Sequence, residues 1–190
     1  MTDGSTPSIG RRIVVVGPTC SGKSTLAATL AERLDVPFVE LDALFWRPGW
    51  EESDDATFGA KVVEATAGDG WAVAGSYRRI SERLLWPRAE TMVWLDFRLP
   101  LVLRRVIERS WRRWRDNELL WGTNYERFWQ QLYHRDSLLY YATKTHRASR
   151  RRWLGMIADP RWAQLDFVQL RGPRETERWL ASVTARPDRA

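Results

Sequence analysis

Residues Gly17-Pro18-Thr19-Cys20-Ser21-Gly22-Lys23-Ser24 follow the pattern GxxxxGKS, a spacing suited to holding a polyphosphate. The two glycines permit backbone angles and a close approach that a Cβ would forbid, so successive N–H groups can wrap round an anion. In that arrangement Lys23 sets an ammonium against the β- and γ-phosphates, and the Ser24 hydroxyl coordinates Mg²⁺. A glycine turn can also do no more than end a strand, so the flanking residues matter. Ile13-Val14-Val15-Val16 is a β-branched run of the kind that fills a strand buried on both faces. Thr25 to Leu34 reads as a helix. Strand, loop and helix in this order bring the partial positive charge of the helix N-terminus to the same anion. Residues 17–25 are therefore a candidate site for a nucleoside triphosphate, ATP with Mg²⁺.

The rest of the chain supplies elements to position that loop. Val36 to Leu41 reads as a second strand ending at Asp42, with Ala43 to Trp50 as a loop punctuated by Pro-Gly. Ser53, Asp54 and Asp55 are candidate caps of a helix whose apolar face carries Phe58, Val62 and Val63, closed by Gly68-Asp69-Gly70. Trp71 to Ala74 is a third strand running into Gly75-Ser76-Tyr77-Arg78, and a short helix follows over Ile80 to Leu85. Thr91 to Phe97 is a fourth strand and Leu165 to Leu170 the last, followed by a helix with Pro173 in its first turn. Asp96 ends its strand either as a metal-holding acid or as a carboxylate capping the loop before Pro100. Strands alternating with helices predict an α/β fold with a mostly parallel sheet covered on both faces, and such sheets bind ligands beyond the carboxyl ends of their strands.

Between the fourth and last strands the spacing predicts two helices. Leu99 to Arg115 is amphipathic, with Leu103, Val106, Ile107, Ser110, Trp111 and Trp114 in one arc and arginines over the remainder. Thr123 to Glu126 is a capping box opening a second helix, whose stripe holds Phe128, Trp129, Leu132, Tyr133, Leu139 and Tyr140. Asp136 falls inside the stripe and calls for an arginine partner; His134 falls on the polar side. Arg147 to Arg152 is a basic run.

At 190 residues the chain suits one domain over 11–182, with a lid region over about 109–150, a polar tail over 1–10 and a frayed end over 183–190. No apolar run reaches membrane-spanning length, and the tail has no signal-peptide core. The single cysteine, Cys20, fits a reducing cytoplasm. It either fills a loop position as a small residue or is a thiolate favoured by Lys23 and the helix N-terminus. A net charge of +6, carried mainly by arginine, suits partners bearing phosphates. Most of the twelve tryptophans are expected in packing.

The loop, the stretch Leu41-Asp42-Ala43-Leu44-Phe45-Trp46-Arg47-Pro48-Gly49-Trp50, the strand end Gly75-Ser76-Tyr77 and the strand end Leu95-Asp96-Phe97 together resemble the bacterial topology-modulation proteins, in the adenylate-kinase-like branch of P-loop kinases. The resemblance spans Arg12 to about Leu180, and the loop is its specific part. It implies a five-stranded parallel sheet flanked by helices, a substrate segment after the second strand and an Arg-rich helical lid between the fourth and fifth. By position it implies that Asp42 meets the acceptor or the magnesium waters, and that Trp46, Arg47, Gly75, Tyr77 and Arg78 line the acceptor side. It implies further that Arg105 and Arg109 close over the triphosphate and that Arg171 and Arg174 border the adenine. The relatives carry Asp where this chain has Ala74; that Asp helps hold Mg²⁺ through water, so its part falls here to Asp42 or Asp96, with Glu40 in support.

Three functions are compatible with these residues. The first is an ATP-dependent kinase of a small, anionic acceptor, in which Asp42 orients or deprotonates the acceptor hydroxyl. The second is a nucleotide-regulated nucleic-acid-binding protein using the arginines and tryptophans between Arg104 and Arg152. The third is a slow ATPase without an acceptor.

Overall fold

The computed structural model describes residues 8–116, 119–120, 124–125 and 137–185. Its centre is β2 (Arg12–Val16), whose residues Ile13 to Val16 are fully buried, as a β-branched run inside a parallel sheet requires. Around it lie β3 (Phe38–Glu40), β6 (Trp71–Ala74), β7 (Thr91–Leu95) and β10 (Asp166–Leu170), all parallel, in the order β10-β7-β2-β6-β3. Side chains alternate along each strand, so the sheet feeds two cores. Ile13 and Val15 meet α1 (Lys23–Leu34) and α5 (Leu99–Arg115) through Leu26, Leu30, Val102 and Val106. Val14 and Val16 meet the other layer through Phe58 and Val62 of α3 (Asp55–Ala65), Ile80 of α4 (Arg78–Leu84), and Trp153 and Met156 of α6 (Leu138–Ile157). The five-stranded, helix-flanked α/β architecture is the one the alternation predicts.

Several local details differ from the sequence reading. The second strand stops at Glu40, and the chain turns at once into a short helix, α2 (Leu41–Phe45), so Asp42 sits in a helical first turn and not at a strand end. The expected loop over Ala43 to Trp50 then forms a small hairpin of β4 (Trp46–Arg47) and β5 (Glu51–Glu52) around Pro48–Trp50. In α3, capped by Asp54 accepting from the Thr57 amide, Phe58 and Val62 are buried but Val63 faces outward. The bounds of α5 are those expected, yet its buried stripe is Val102, Val106 and Ser110, while Ile107, Trp111 and Trp114 are exposed. The sheet takes one narrow i, i+4 row of a wide apolar arc.

Within the expected capping box, Asn124–Tyr125 form β9 against β8 (Leu119–Leu120). Thr123, Glu126, Phe128, Trp129, Leu132, Tyr133, His134 and Asp136 lie outside the described residues. The helix α6 is capped by Ser137, whose Oγ accepts from the Tyr140 amide, and it absorbs the basic run. After β10, Pro173 stands in the first turn of α7 (Pro173–Ser182), as expected. The first and last described residues meet: β1 (Ser8–Ile9) runs parallel beside β11 (Thr184–Ala185), with Ile9 buried. Among the described residues no helix is long and apolar enough to cross a membrane.

Candidate active site

The loop leaves β2 at the carboxyl edge of the sheet. Gly17 has φ +151°, and a Cβ there would stand 2.8 Å from the Leu95 carbonyl oxygen. Gly22, at φ +93°, caps α1, so Lys23 and Ser24 occupy its first turn, two residues earlier than the helix read from the sequence. Cys20 also takes a left-handed conformation, at φ 56°, and is partly buried. Lys23 is partly buried, and its ammonium donates to the Pro18 carbonyl at 2.9 Å. Burial pushes this ammonium below the ordinary lysine range, and the charge of Arg109 adds to the effect, while Asp42, Cys20 and Glu40 oppose it.

Two acids approach the loop from β3 and α2. Ser24 Oγ donates to Glu40 Oε1 at 2.5 Å. Glu40 is the register partner of Ala74 on β6, so its carboxylate comes from the strand next to the one on which the sequence resemblance predicts an Asp. Asp42 Oδ1 accepts from the Tyr77 hydroxyl at 2.7 Å. Tyr77 is walled by Phe45 and Phe58, with ring centroids 4.7 and 5.1 Å away. Its phenol is raised above the ordinary tyrosine range by burial first and by the Asp42 charge second. The backbone before it is fixed by Gly75, at φ +142°, packed against Leu41.

The arginines divide into separate groups. Arg105 Nη1 donates to the Ser21 carbonyl at 3.0 Å, and its guanidinium lies 5.2 Å from the Phe97 ring centroid. Arg109 is near enough to Lys23 to depress it, and its Nε is buried with no hydrogen-bond partner among the described residues. Arg171 and Arg174 border an open groove of about 670 Å³ together with Arg104, Arg105 and Arg178. Arg47, expected at the acceptor, pairs with Asp54 at 3.1 Å on the hairpin. Trp46 lies in the aromatic cluster, 5.0 Å from Phe45 and 5.6 Å from Trp50. Asp96, offered by the sequence as a metal ligand, accepts from Arg150 Nε at 3.0 Å on both oxygens and from Gln169 Nε2 at 2.7 Å, so its charge is already matched.

A cavity of about 140 Å³ opens beside the loop, between α4 and α6. Gly17, Pro18 and Thr19 form one wall, Arg78 and Glu82 another, and α6 contributes His146, Ser149, Arg150 and Arg152 over Trp153. His146 Nε2 bonds to the Phe97 carbonyl at 2.8 Å; a carbonyl only accepts, so this nitrogen carries the proton. Sequence reasoning did not select His146 or, as a primary acid, Glu40, and it offered Arg150 only within the basic run as a nucleic-acid contact. The signal for α6 is present as a helical stripe, Ala142, Thr145, His146, Ser149, Arg150, Trp153, hidden inside what reads as a charge run. Among the described residues there is no group of three or more His, Cys, Asp or Glu that could hold a metal ion.

No family model matches the chain. Among solved structures, a gluconokinase from Sinorhizobium meliloti is similar over 92% of this chain and 94% of its own, with a TM-score of 0.50 and 22% identity. A shikimate kinase from Bacteroides thetaiotaomicron aligns over 91% of this chain and 94% of its own, with a TM-score of 0.45 and 19% identity. The gluconokinase likeness is one of fold, the five-stranded parallel sheet flanked by helices.

Proposed function

We propose that the protein is an ATP-dependent phosphotransferase acting on a small acceptor, related to the topology-modulation branch of P-loop kinases. The observation that carries this reading is the convergence of Lys23, Ser24, Glu40 and Asp42 on one glycine loop at the carboxyl edge of the sheet. Loop amides from Gly17 to Ser24 bind the triphosphate, and Lys23 exchanges the Pro18 carbonyl for phosphate oxygens, which restores its preference for the charged state. Ser24 and Glu40 fit Mg²⁺: they are hard oxygen donors already converged at 2.5 Å, and this ion keeps most of its waters and needs few protein ligands. When bound, Mg²⁺ would supply positive charge that offsets the negative charge of the phosphates.

Asp42, held by Tyr77, orients the acceptor hydroxyl or takes its proton. Arg109 brings its cation to developing charge on the transferring group, while Arg105 braces the loop and, with Arg171 and Arg174, borders the adenine side. The test is a panel of small acceptors with γ-labelled ATP, scored for transfer to the acceptor against release of free phosphate. Lys23→Ala is expected to abolish turnover. Turnover near the wild-type rate in that variant, or hydrolysis with no acceptor-dependent transfer, refutes the kinase reading.

One observation favours a second reading, nucleic-acid binding. Trp111 and Trp114, expected in packing, are exposed, with ring centroids 5.2 Å apart on the arginine-rich α5. Exposed aromatics beside arginines are the equipment for stacking unpaired bases and matching their phosphates. Binding of single-stranded DNA that weakens steeply with salt, and is lost on substituting both tryptophans, supports it; absence of binding at physiological salt removes it.

A further inference from the structure

We infer that Trp46 and Tyr77 form a directed hydrogen-bond chain that positions Asp42 for the acceptor, and that both act through this carboxylate and not as contacts of the acceptor; this rests on the kinase reading of the neighbouring loop. The direction of the chain follows from what each group can do. The Tyr77 hydroxyl lies 2.7 Å from Asp42 Oδ1, and the Trp46 side chain hydrogen-bonds to the same phenol. An indole N–H only donates, and an ionised carboxylate only accepts. The phenol oxygen therefore accepts from Trp46 and donates its one O–H to Asp42. Burial and the charge of Asp42 both keep that proton on the phenol.

Two consequences separate these residues from the acceptor-lining role that the resemblance implies for them. With its single O–H committed to Asp42, Tyr77 has no donor to offer a ligand, and the Trp46 N–H is likewise committed. Asp42 Oδ2 has no hydrogen-bond partner among the described residues, so it is the oxygen presented to the acceptor hydroxyl. Packing holds the chain in line. The Tyr77 ring lies 4.7 Å from that of Phe45 and 5.1 Å from that of Phe58, and Phe45 meets Trp46 edge-on at 5.0 Å. Trp46 itself sits in the β4–β5 hairpin, paired with Glu52. Three separate segments, α2, the hairpin and the turn after β6, thus fix one carboxylate, as the placement of a reacting group requires.

The chain is read directly by NMR of the nitrogen-labelled protein without ligands, in which the Trp46 indole resonance is the one lost in Trp46→Phe. Tyr77→Phe removes the acceptor but keeps the ring, so this resonance is expected to move to higher field while those of the other tryptophans stay in place. Turnover is measured with Mg-ATP and two acceptor probes, water and D-gluconate. Tyr77→Phe should lower kcat about tenfold and Trp46→Phe about threefold, with KM for ATP unchanged, and adding Trp46→Phe to Tyr77→Phe should cost nothing more. In an Asp42→Asn background neither substitution should matter, because there is no longer a carboxylate to position. An indole resonance that does not move in Tyr77→Phe, or an equal loss of kcat on adding Tyr77→Phe to Asp42→Asn, overturns the inference. Absence of turnover in the wild type with any acceptor would remove the kinase reading, and the indole resonance alone would then decide whether the chain exists.

Discussion

Ser24 Oγ donates to Glu40 Oε1 at 2.5 Å, and Glu40 faces the same side of the sheet as its register partner Ala74. A carboxylate at the mouth of the loop is thus available from β3, beside the strand end at Ala74 where the sequence resemblance predicts an Asp. Glu40→Gln is expected to raise the Mg²⁺ concentration for half-maximal turnover about 10- to 100-fold, the usual cost of losing an outer-sphere partner. Adding Ala74→Asp to that variant should recover part of the loss, because the two side chains are cross-strand neighbours. Turnover measured against free Mg²⁺ checks both; an unaltered Mg²⁺ dependence in Glu40→Gln would show that the acid lies elsewhere.

Arg105 and Arg109 stand one helical turn apart on α5 but have different surroundings. Arg105 is spent on the Ser21 carbonyl, whereas Arg109 has a buried Nε without a partner among the described residues. Arg109→Ala should therefore lower kcat by roughly 10³-fold with a small change in KM for ATP. Arg105→Ala should chiefly raise KM, since it loosens the loop. Steady-state kinetics with both substrates varied separate these outcomes, and a reversal of the two patterns would exchange the assignments.

The loop was legible because everything it needs is local: β-branched residues before it, two glycines within it, and a helix after it, though that helix begins at Lys23 and not at Thr25. The bounds of α5 were legible from periodicity, but periodicity does not say which row of a broad arc meets the sheet, and Trp111 and Trp114 were misplaced for that reason. Glu40 was masked by reading its strand through to Asp42. With the chain turning into α2 at Leu41, the two acids belong to different elements and have different partners, Ser24 and Tyr77. The pairing of Ser8–Ile9 with Thr184–Ala185 and the meeting of Asp96 with Arg150 are contacts across long stretches of chain and carry no local signature.

Gly75→Ala tests how the fold positions Asp42. The native φ of +142° disfavours any side chain, and the new Cβ would stand 2.8 Å from Leu41 Cβ, one residue before Asp42. Leu41 is fully buried, so it has little room to yield. The expected cost is roughly 1–3 kcal/mol of stability together with a fall in acceptor-dependent turnover. Gly49→Ala is the comparison: its φ is +76°, but nothing lies within 4 Å of the added carbon, so about 1 kcal/mol from conformation alone is expected. Denaturant unfolding of the two variants checks this, and equal losses would show that contact with Leu41 contributes nothing.

Lys23 gives stability a pH dependence whose sign is fixed by the direction of its shift. Its pKa in the folded chain lies below the ordinary value of 10.5, chiefly through burial, so the unfolded chain holds the proton more tightly. Below the folded pKa both states are charged and the burial penalty is felt in full. As pH rises from there toward 10.5, the folded state releases its proton first and the penalty fades, so this group makes the fold more stable with increasing pH. Lys23→Met without nucleotide should therefore exceed the wild type in Tm near neutral pH, by roughly 2–4 °C for each kcal/mol relieved in a chain of this size. The difference should shrink as the pH approaches 10.5. Excess ATP should reverse the order, because the wild type alone gains the full stabilisation of bound ligand. Thermal unfolding across this pH range, with and without ATP, measures all three effects; a Tm difference that does not change with pH would show that Lys23 titrates as an ordinary lysine.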